Sequence, residues 1–110
     1  IVMPLVKLYA RSGTALPLSS LQSALCAVWG TKPLTTKLML NHVADWTSEG
    51  EDVFVDIRAK ATPDRTREAV LENMQRVQDV FADHGFVANV RLETYEADSY
   101  FHRPPPTSGN

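Results

Sequence analysis

Only one cysteine, Cys26, stands among the 110 residues, so no disulfide closes within the chain and a reducing compartment is expected. Neither sign of charge dominates: 11 Lys and Arg against 13 Asp and Glu leave a net charge of -2. No basic block runs along the chain, which argues against nucleic acid as a partner. No apolar run is long enough to span a bilayer, so no membrane partner is expected. The first residues lack the basic region, apolar stretch and small-residue cleavage site of a signal peptide. These absences together predict a cytoplasmic home. His42, His84 and His102 are scattered and share no ligand spacing with Cys26, so no metal is expected. A glycine-rich phosphate loop is missing, as is a nucleophile elbow around Ser19, Ser20 or Ser23. The last strand lacks the aromatic pattern of an RNA-binding sheet. No cofactor is expected.

What remains is an ordinary globular composition, 44% apolar and 22% charged, of a length that suits a single domain over residues 1–110. Val6, Leu8 and Ala10 alternate with Lys7 and Tyr9 and predict a first strand over 5–10. Pro17 suits a helix start, and Leu18, Leu21, Leu25 and Val28 form one helical stripe. Gly30 ends that helix and Pro33 bars its continuation. A second strand is expected from about Thr36 to Ala44, then a polar turn over 47–52. Val53, Val55, Ile57 and Ala59 alternate with Phe54, Asp56 and Arg58 in a third strand. Thr62-Pro63-Asp64 reads as a helix N-cap, a first-turn proline and an early acid. Val70, Met74, Val77 and Phe81 then give a second helix stripe, which Gly85 stops before a last strand over 87–96. Residues 99–110 form a polar arm around Pro104-Pro105-Pro106.

Strand-helix-strand therefore occurs twice, as pseudo-repeats over 4–47 and 53–98. Two architectures share this order. In a ferredoxin-like fold the strands of the halves interleave, which suits a binding or regulatory domain without catalysis. In the other, each half is a parallel βαβ unit and the halves meet across a pseudo-twofold axis. Periodicity does not separate them.

Met3-Pro4 heads the first strand. A starting Met is trimmed when the next residue is small, which would leave Pro4 as the N-terminus with a free secondary amine. An α-amino group has a pKa near 8, and apolar burial or nearby cations push it lower, toward the range of a general base. The reading requires loss of Ile1-Val2-Met3, because in peptide linkage the ring nitrogen has no basicity.

With that start, the chain resembles the tautomerase superfamily, whose members carry an amino-terminal proline on single or fused βαβ units. Trp29-Gly30-Thr31-Lys32-Pro33 is similar to a corner of the macrophage migration inhibitory factor branch. The second half, from Ala61-Thr62-Pro63-Asp64-Arg65 to Val90-Arg91-Leu92, resembles a 4-oxalocrotonate tautomerase subunit. The stretch from His42 to Ile57 is similar to 5-carboxymethyl-2-hydroxymuconate isomerase. The resemblance implies an α+β (α/β) fold of two fused βαβ units, a four-stranded mixed sheet with two helices on one face. It implies a homotrimer with sites between subunits, and a cofactor-independent tautomerase or isomerase acting on small enol or unsaturated keto carboxylates. Relatives hydrate, dehalogenate or decarboxylate with the same proline.

The resemblance makes Pro4 the catalytic base and acid. Arg91 stands where a cation approaches that proline, and its planar fork suits a carboxylate or enolate oxygen. Glu93, on the same face, either pairs with Arg91 or assists proton transfer. Lys32 matches a site lysine of the inhibitory-factor branch. Lys37 sits one place before a substrate-binding arginine of the oxalocrotonate branch, where this chain has Leu38, a mismatch that weighs against a dicarboxylate. Arg58, on the polar face of the third strand, is a substrate-binding candidate that would reach a neighbouring subunit's pocket. Arg11 is a candidate substitute for a family arginine at the place held here by Lys60-Ala61. Tyr100 and Phe101 wall a pocket or dock on the next subunit. Trp29, Trp46 and Cys26 are expected in the core or at an interface rather than in the site.

Overall fold

The computed structural model describes residues 5–33 and 36–106. Its elements are β1 (Leu5–Arg11), α1 (Leu18–Trp29), β2 (Lys37–Val43), β3 (Val53–Lys60), α2 (Arg67–Asp83) and β4 (Ala88–Tyr95), then a short 3-10 turn over Ala97–Ser99. All four strands lie in one sheet of order β2-β1-β3-β4. β1 pairs parallel with β2, and β3 pairs parallel with β4. The two βαβ units meet where β1 runs antiparallel to β3, with Leu5 opposite Arg58 and Ala10 opposite Val53. Each unit keeps its own strand pair whole. This excludes the interleaved ferredoxin-like arrangement and establishes the fused-unit sheet.

Alternation decides which face is covered. Val6, Leu8 and Ala10 of β1 and Val53, Val55 and Ile57 of β3 are buried. All of these but Ala10 form one core with Leu21 and Leu25 of α1 and Val77, Val80 and Phe81 of α2, so both helices lie on the same face. Trp29 Nε1 donates to Asn73 Oδ1 at 2.8 Å and ties the helices together. Cys26 is a buried free thiol among these apolar groups. The opposite face carries three cross-strand rows: Lys37, Leu5, Arg58, Glu93; then Met39, Lys7, Asp56, Arg91; then Asn41, Tyr9, Phe54, Asn89.

Helix ends follow local chemistry, with one correction. Gly30 closes α1 in the left-handed region at φ 66°, and Gly85 takes φ 86° just beyond α2; a Cβ penalises this region. At the end of α2, Phe86 N–H bonds Phe81 O at 2.9 Å and Gly85 N–H bonds Ala82 O at 2.9 Å, the Schellman pattern. Thr62 is not the N-cap of α2. Its carbonyl accepts from Arg65 N–H at 3.0 Å, closing a turn around Pro63-Asp64. The helix starts one turn later, where Thr66 accepts from Ala69 N–H at 3.2 Å. Proline followed by aspartate satisfies a turn as well as a first helical turn, and the second threonine supplies the cap.

Before β3, Glu51 gathers the loop. Its Oε1 accepts from Ser48 Oγ at 2.7 Å and from Glu49 N–H at 2.6 Å, and its Oε2 accepts from Asn89 at 2.9 Å. These donors, Ser48 foremost and then Asn89, pull its pKa down from the usual 4.5 to about 2. The folded carboxylate holds its proton less tightly than the unfolded one. Its stabilisation is therefore present above about 4.5 and is lost as pH falls toward about 2. Glu51→Gln is expected to flatten the acid limb of the stability profile across that window, measured by denaturant titration at each pH; an unchanged limb would contradict the assignment. Phe81, with no exposed surface, is expected to cost about 3–5 kcal/mol on truncation to Ala, read from the urea midpoint.

Candidate functional site

β1 and β2 begin, and β3 and β4 finish, at one end of the sheet. α1 returns the chain to that end, so the corner holding Lys32 lies there as well. Gln22 of α1 fixes this corner by donating to the carbonyls of Pro33 at 3.2 Å and Thr36 at 2.9 Å. The threonine hydroxyls of Thr31 and Thr36 meet at 2.5 Å. Thr36 is fully buried, and Lys37 follows it at the exposed head of β2.

Leu5 lies between Lys37 and Arg58 in register. Arg58 stands 3.6 Å from Glu93, both partly exposed, and its guanidinium carbon lies 5.7 Å from the centre of the Tyr95 ring. Tyr100 stacks on Tyr95 with centroids 4.4 Å apart, and His102 stands 6.4 Å beyond it. Phe101 next to it is 88% exposed. The strand end thus combines cations that suit a carboxylate, an acid beside one of them, and a stacked aromatic wall that suits a flat conjugated molecule. No group of His, Cys, Asp and Glu that could hold a metal occurs among the described residues, and no helix among them is long and apolar enough to cross a membrane.

Of the residues singled out from sequence, Lys37 and Arg58 flank Leu5 at this end, Tyr100 stacks on Tyr95 beside Arg58, and Lys32 and Phe101 belong to the adjoining segments. Pro4 lies outside the described residues. Arg91 sits one row back from this end on β4, bound to Asp56: its Nε lies 3.1 Å from Oδ1 and its Nη2 3.1 Å from Oδ2. This fork-to-fork pair raises the Arg91 pKa above its usual value, first through the hydrogen bond and then through the charge of Asp56. Arg91 also lies over Phe54, 6.0 Å from the ring centre. Its partner is thus Asp56, and Glu93 forms its ion pair with Arg58. Arg11 ends β1 and is separated from Leu5 by the whole strand, about 20 Å at ~3.3 Å per residue. It does not join this end within one chain.

Sequence reasoning passed over Tyr95, the residue on which Arg58 and Tyr100 converge. The signal was present. Two-residue steps from Arg91 and Glu93 lead along one strand face to Tyr95.

The fold is that of the tautomerase superfamily. A fused 4-oxalocrotonate tautomerase (F6 fused 4-OT, an asymmetric trimer) aligns with 89% of this chain and 91% of its own at a TM-score of 0.64 and 12% identity. Pt0534 inactivated by 2-oxo-3-pentynoate aligns over 96% and 93% at 0.65 and 14% identity. N1, of the cis-3-chloroacrylic acid dehalogenase family, aligns over 96% and 85% at 0.67 and 10% identity. No family model matches the sequence, and no curated protein matches it. The shared property at these identities is the fold.

If Tyr95 holds the arm, Tyr95→Ala should release Tyr100 and Phe101. Aromatic pairing worth about 1 kcal/mol predicts roughly fivefold faster chymotryptic cleavage at these residues, followed by intact mass; cleavage at the wild-type rate would show that the stack does not retain the arm.

Proposed function

We propose that the chain is a cofactor-independent tautomerase or isomerase of enol or unsaturated keto acids, with Pro4 as general base and acid once it forms the N-terminus. The observation that carries this reading is the gathering of Lys37, Arg58, Glu93, Tyr95 and Tyr100 around the end of the sheet where β1 begins at Leu5, the residue that follows Pro4. Chain connectivity keeps Pro4 one residue from Leu5, and the likeness to tautomerase-superfamily structures supports the same chemistry.

The neutral secondary amine of Pro4 removes a proton from the enol hydroxyl or from the carbon next to the carbonyl. The resulting dienolate spreads its charge onto oxygen, where Arg58 and Lys37 stabilise it. The prolinium then returns the proton at the alternative carbon, so the substrate is isomerised without net gain or loss. Glu93 orients Arg58 across their 3.6 Å approach. Lys32 and Phe101 complete the rim, and Tyr95 with Tyr100 forms the wall for the conjugated carbons. Arg91 stands in the next row, its charge met by Asp56.

The functional unit on this reading is a homotrimer whose sites lie between subunits, as the trimer of fused 4-oxalocrotonate tautomerase suggests. A buried free thiol at Cys26 suits a cytoplasmic home.

The experiment compares protein beginning at Pro4 with the Ile1-Val2-Met3 form and with Pro4→Ala, using phenylenolpyruvate and 2-hydroxymuconate. Activity is expected only in the first, with at least about a hundredfold loss in the others; equal rates in all three would remove Pro4 as the base. Arg58→Gln is expected to raise KM roughly tenfold, as for loss of a charged hydrogen bond to a carboxylate.

A further inference from the structure

The open face of the sheet matches its charges unevenly. Lys37, Arg58 and Glu93 stand in the row of Leu5, and Lys7, Asp56 and Arg91 stand in the row behind it. Four cations against two acids make these rows positive in a chain of net charge -2, so their field favours an anion. Each arginine has an acid beside it. Glu93 stands 3.6 Å from Arg58, and Asp56 accepts from Arg91 Nε and Nη2, both at 3.1 Å. Lys37 forms no ion pair among the described residues. One unmatched cation thus remains in the row at the strand end.

The two acids differ in what holds them. The Glu93 side chain is 62% exposed, whereas that of Asp56 is 11% exposed. A carboxylate shielded from water and held by two parallel bonds does not release its arginine to an incoming acid, because the exchange would leave it enclosed without its partner. Arg91 is the nearest further cation on β4. It lies two residues behind Glu93 on the same face, about 7 Å at ~3.3 Å per residue. A six-carbon conjugated chain covers that distance. Asp56 therefore withholds the group that would otherwise anchor a second carboxylate.

We propose that Asp56 sets the substrate class of this end, an inference that rests on the acid-binding role proposed above for the strand end beside Pro4. By cancelling Arg91 it restricts the site to conjugated acids with one carboxylate. Asp56 touches no substrate and is a positioning residue that acts through Arg91. A fixed charge acts once on a monoanion and twice on a dianion. At about 7 Å and the dielectric constant of water, one charge changes the affinity of a monoanion roughly threefold and that of a dianion roughly tenfold.

The test is calorimetric titration of protein beginning at Pro4 with sorbate and with trans,trans-muconate, six-carbon dienes that carry one and two carboxylates, at constant ionic strength. The wild type is expected to bind sorbate at least as tightly as muconate. Asp56→Asn, which keeps the shape and an acceptor for Arg91, should raise the muconate-to-sorbate affinity ratio at least about threefold. Arg91→Gln should lower that ratio by a similar factor, and the double variant should restore it to near the wild-type value. A purely structural role would weaken both acids alike. Asp79→Asn, exposed on α2 on the other side of the sheet, removes a charge and should leave the ratio unchanged. The Arg91→Gln arm stands alone if Asp56→Asn does not fold. Muconate bound more tightly than sorbate by the wild type, as a second anchor at Lys60 opposite Tyr95 would give, would overturn the proposal. So would a ratio that moves the same way in both single variants, or in neither. No saturable binding of either acid, or binding indifferent to both Lys37→Gln and Arg58→Gln, would overturn the acid-binding role itself and the proposal with it.

Discussion

The antiparallel contact between β1 and β3 is the constraint from which the rest of the molecule follows. A single βαβ unit of this size has too little apolar surface to cover its own strand pair. Joining the inner strands places Val6 and Leu8 beside Val55 and Ile57 and gives both helices one continuous surface to cover. The same hydrogen bonds fix what happens on the other face. A slip of one residue in this register would send the buried valines outward and bring Arg58 and Asp56 under the helices. The core therefore sets the positions of the charges as firmly as any contact among the charges themselves.

The open face shows how one strand of alternating residues serves two purposes. Asp56 and Arg58 are two residues apart on β3 and have different partners. Asp56 is largely enclosed and takes the Arg91 fork, a pairing that suits a carboxylate removed from water. Arg58 and Glu93 are more exposed and stand 3.6 Å apart without a tight bond, and the arginine also lies near Tyr95. Arg58 is thus held less tightly than Arg91, whose guanidinium forks onto Asp56. The pair of Asp56 and Arg91 instead joins β3 to β4 and holds the row from which the site rises.

The duplication gives the molecule two comparable ends with different fillings. At one, Lys37 and Arg58 flank the residue that follows Pro4, and an aromatic stack from β4 and the arm closes the side. At the other, Arg11 and Trp46 line a cavity with Glu51 and Asp52, just before β3 begins. An internal repeat supplies the same backbone geometry twice, and the side chains make its two ends different.

The strands and helices were legible in the sequence because alternation and helical stripes report directly on burial; Val53, Val55 and Ile57 or Leu21 and Leu25 leave little choice of face. The double unit was legible too, as was the basic character of Lys37 and Arg58. The start of α2 was less clear, since Thr62-Pro63-Asp64 and Thr66 offer rival beginnings and only the settled chain selects the second. Partner choice was not legible at all. Whether Arg91 meets Glu93 on its own strand or Asp56 on the next depends on a register set by the core, and whether Tyr95 receives Arg58 and Tyr100 depends on where the arm turns. Such contacts are lateral, between residues far apart in the chain. Sequence determines which faces are apolar, because that is a property of neighbours along one strand; tertiary structure alone decides which charged and aromatic groups meet across strands, because that depends on how strands are ordered and aligned.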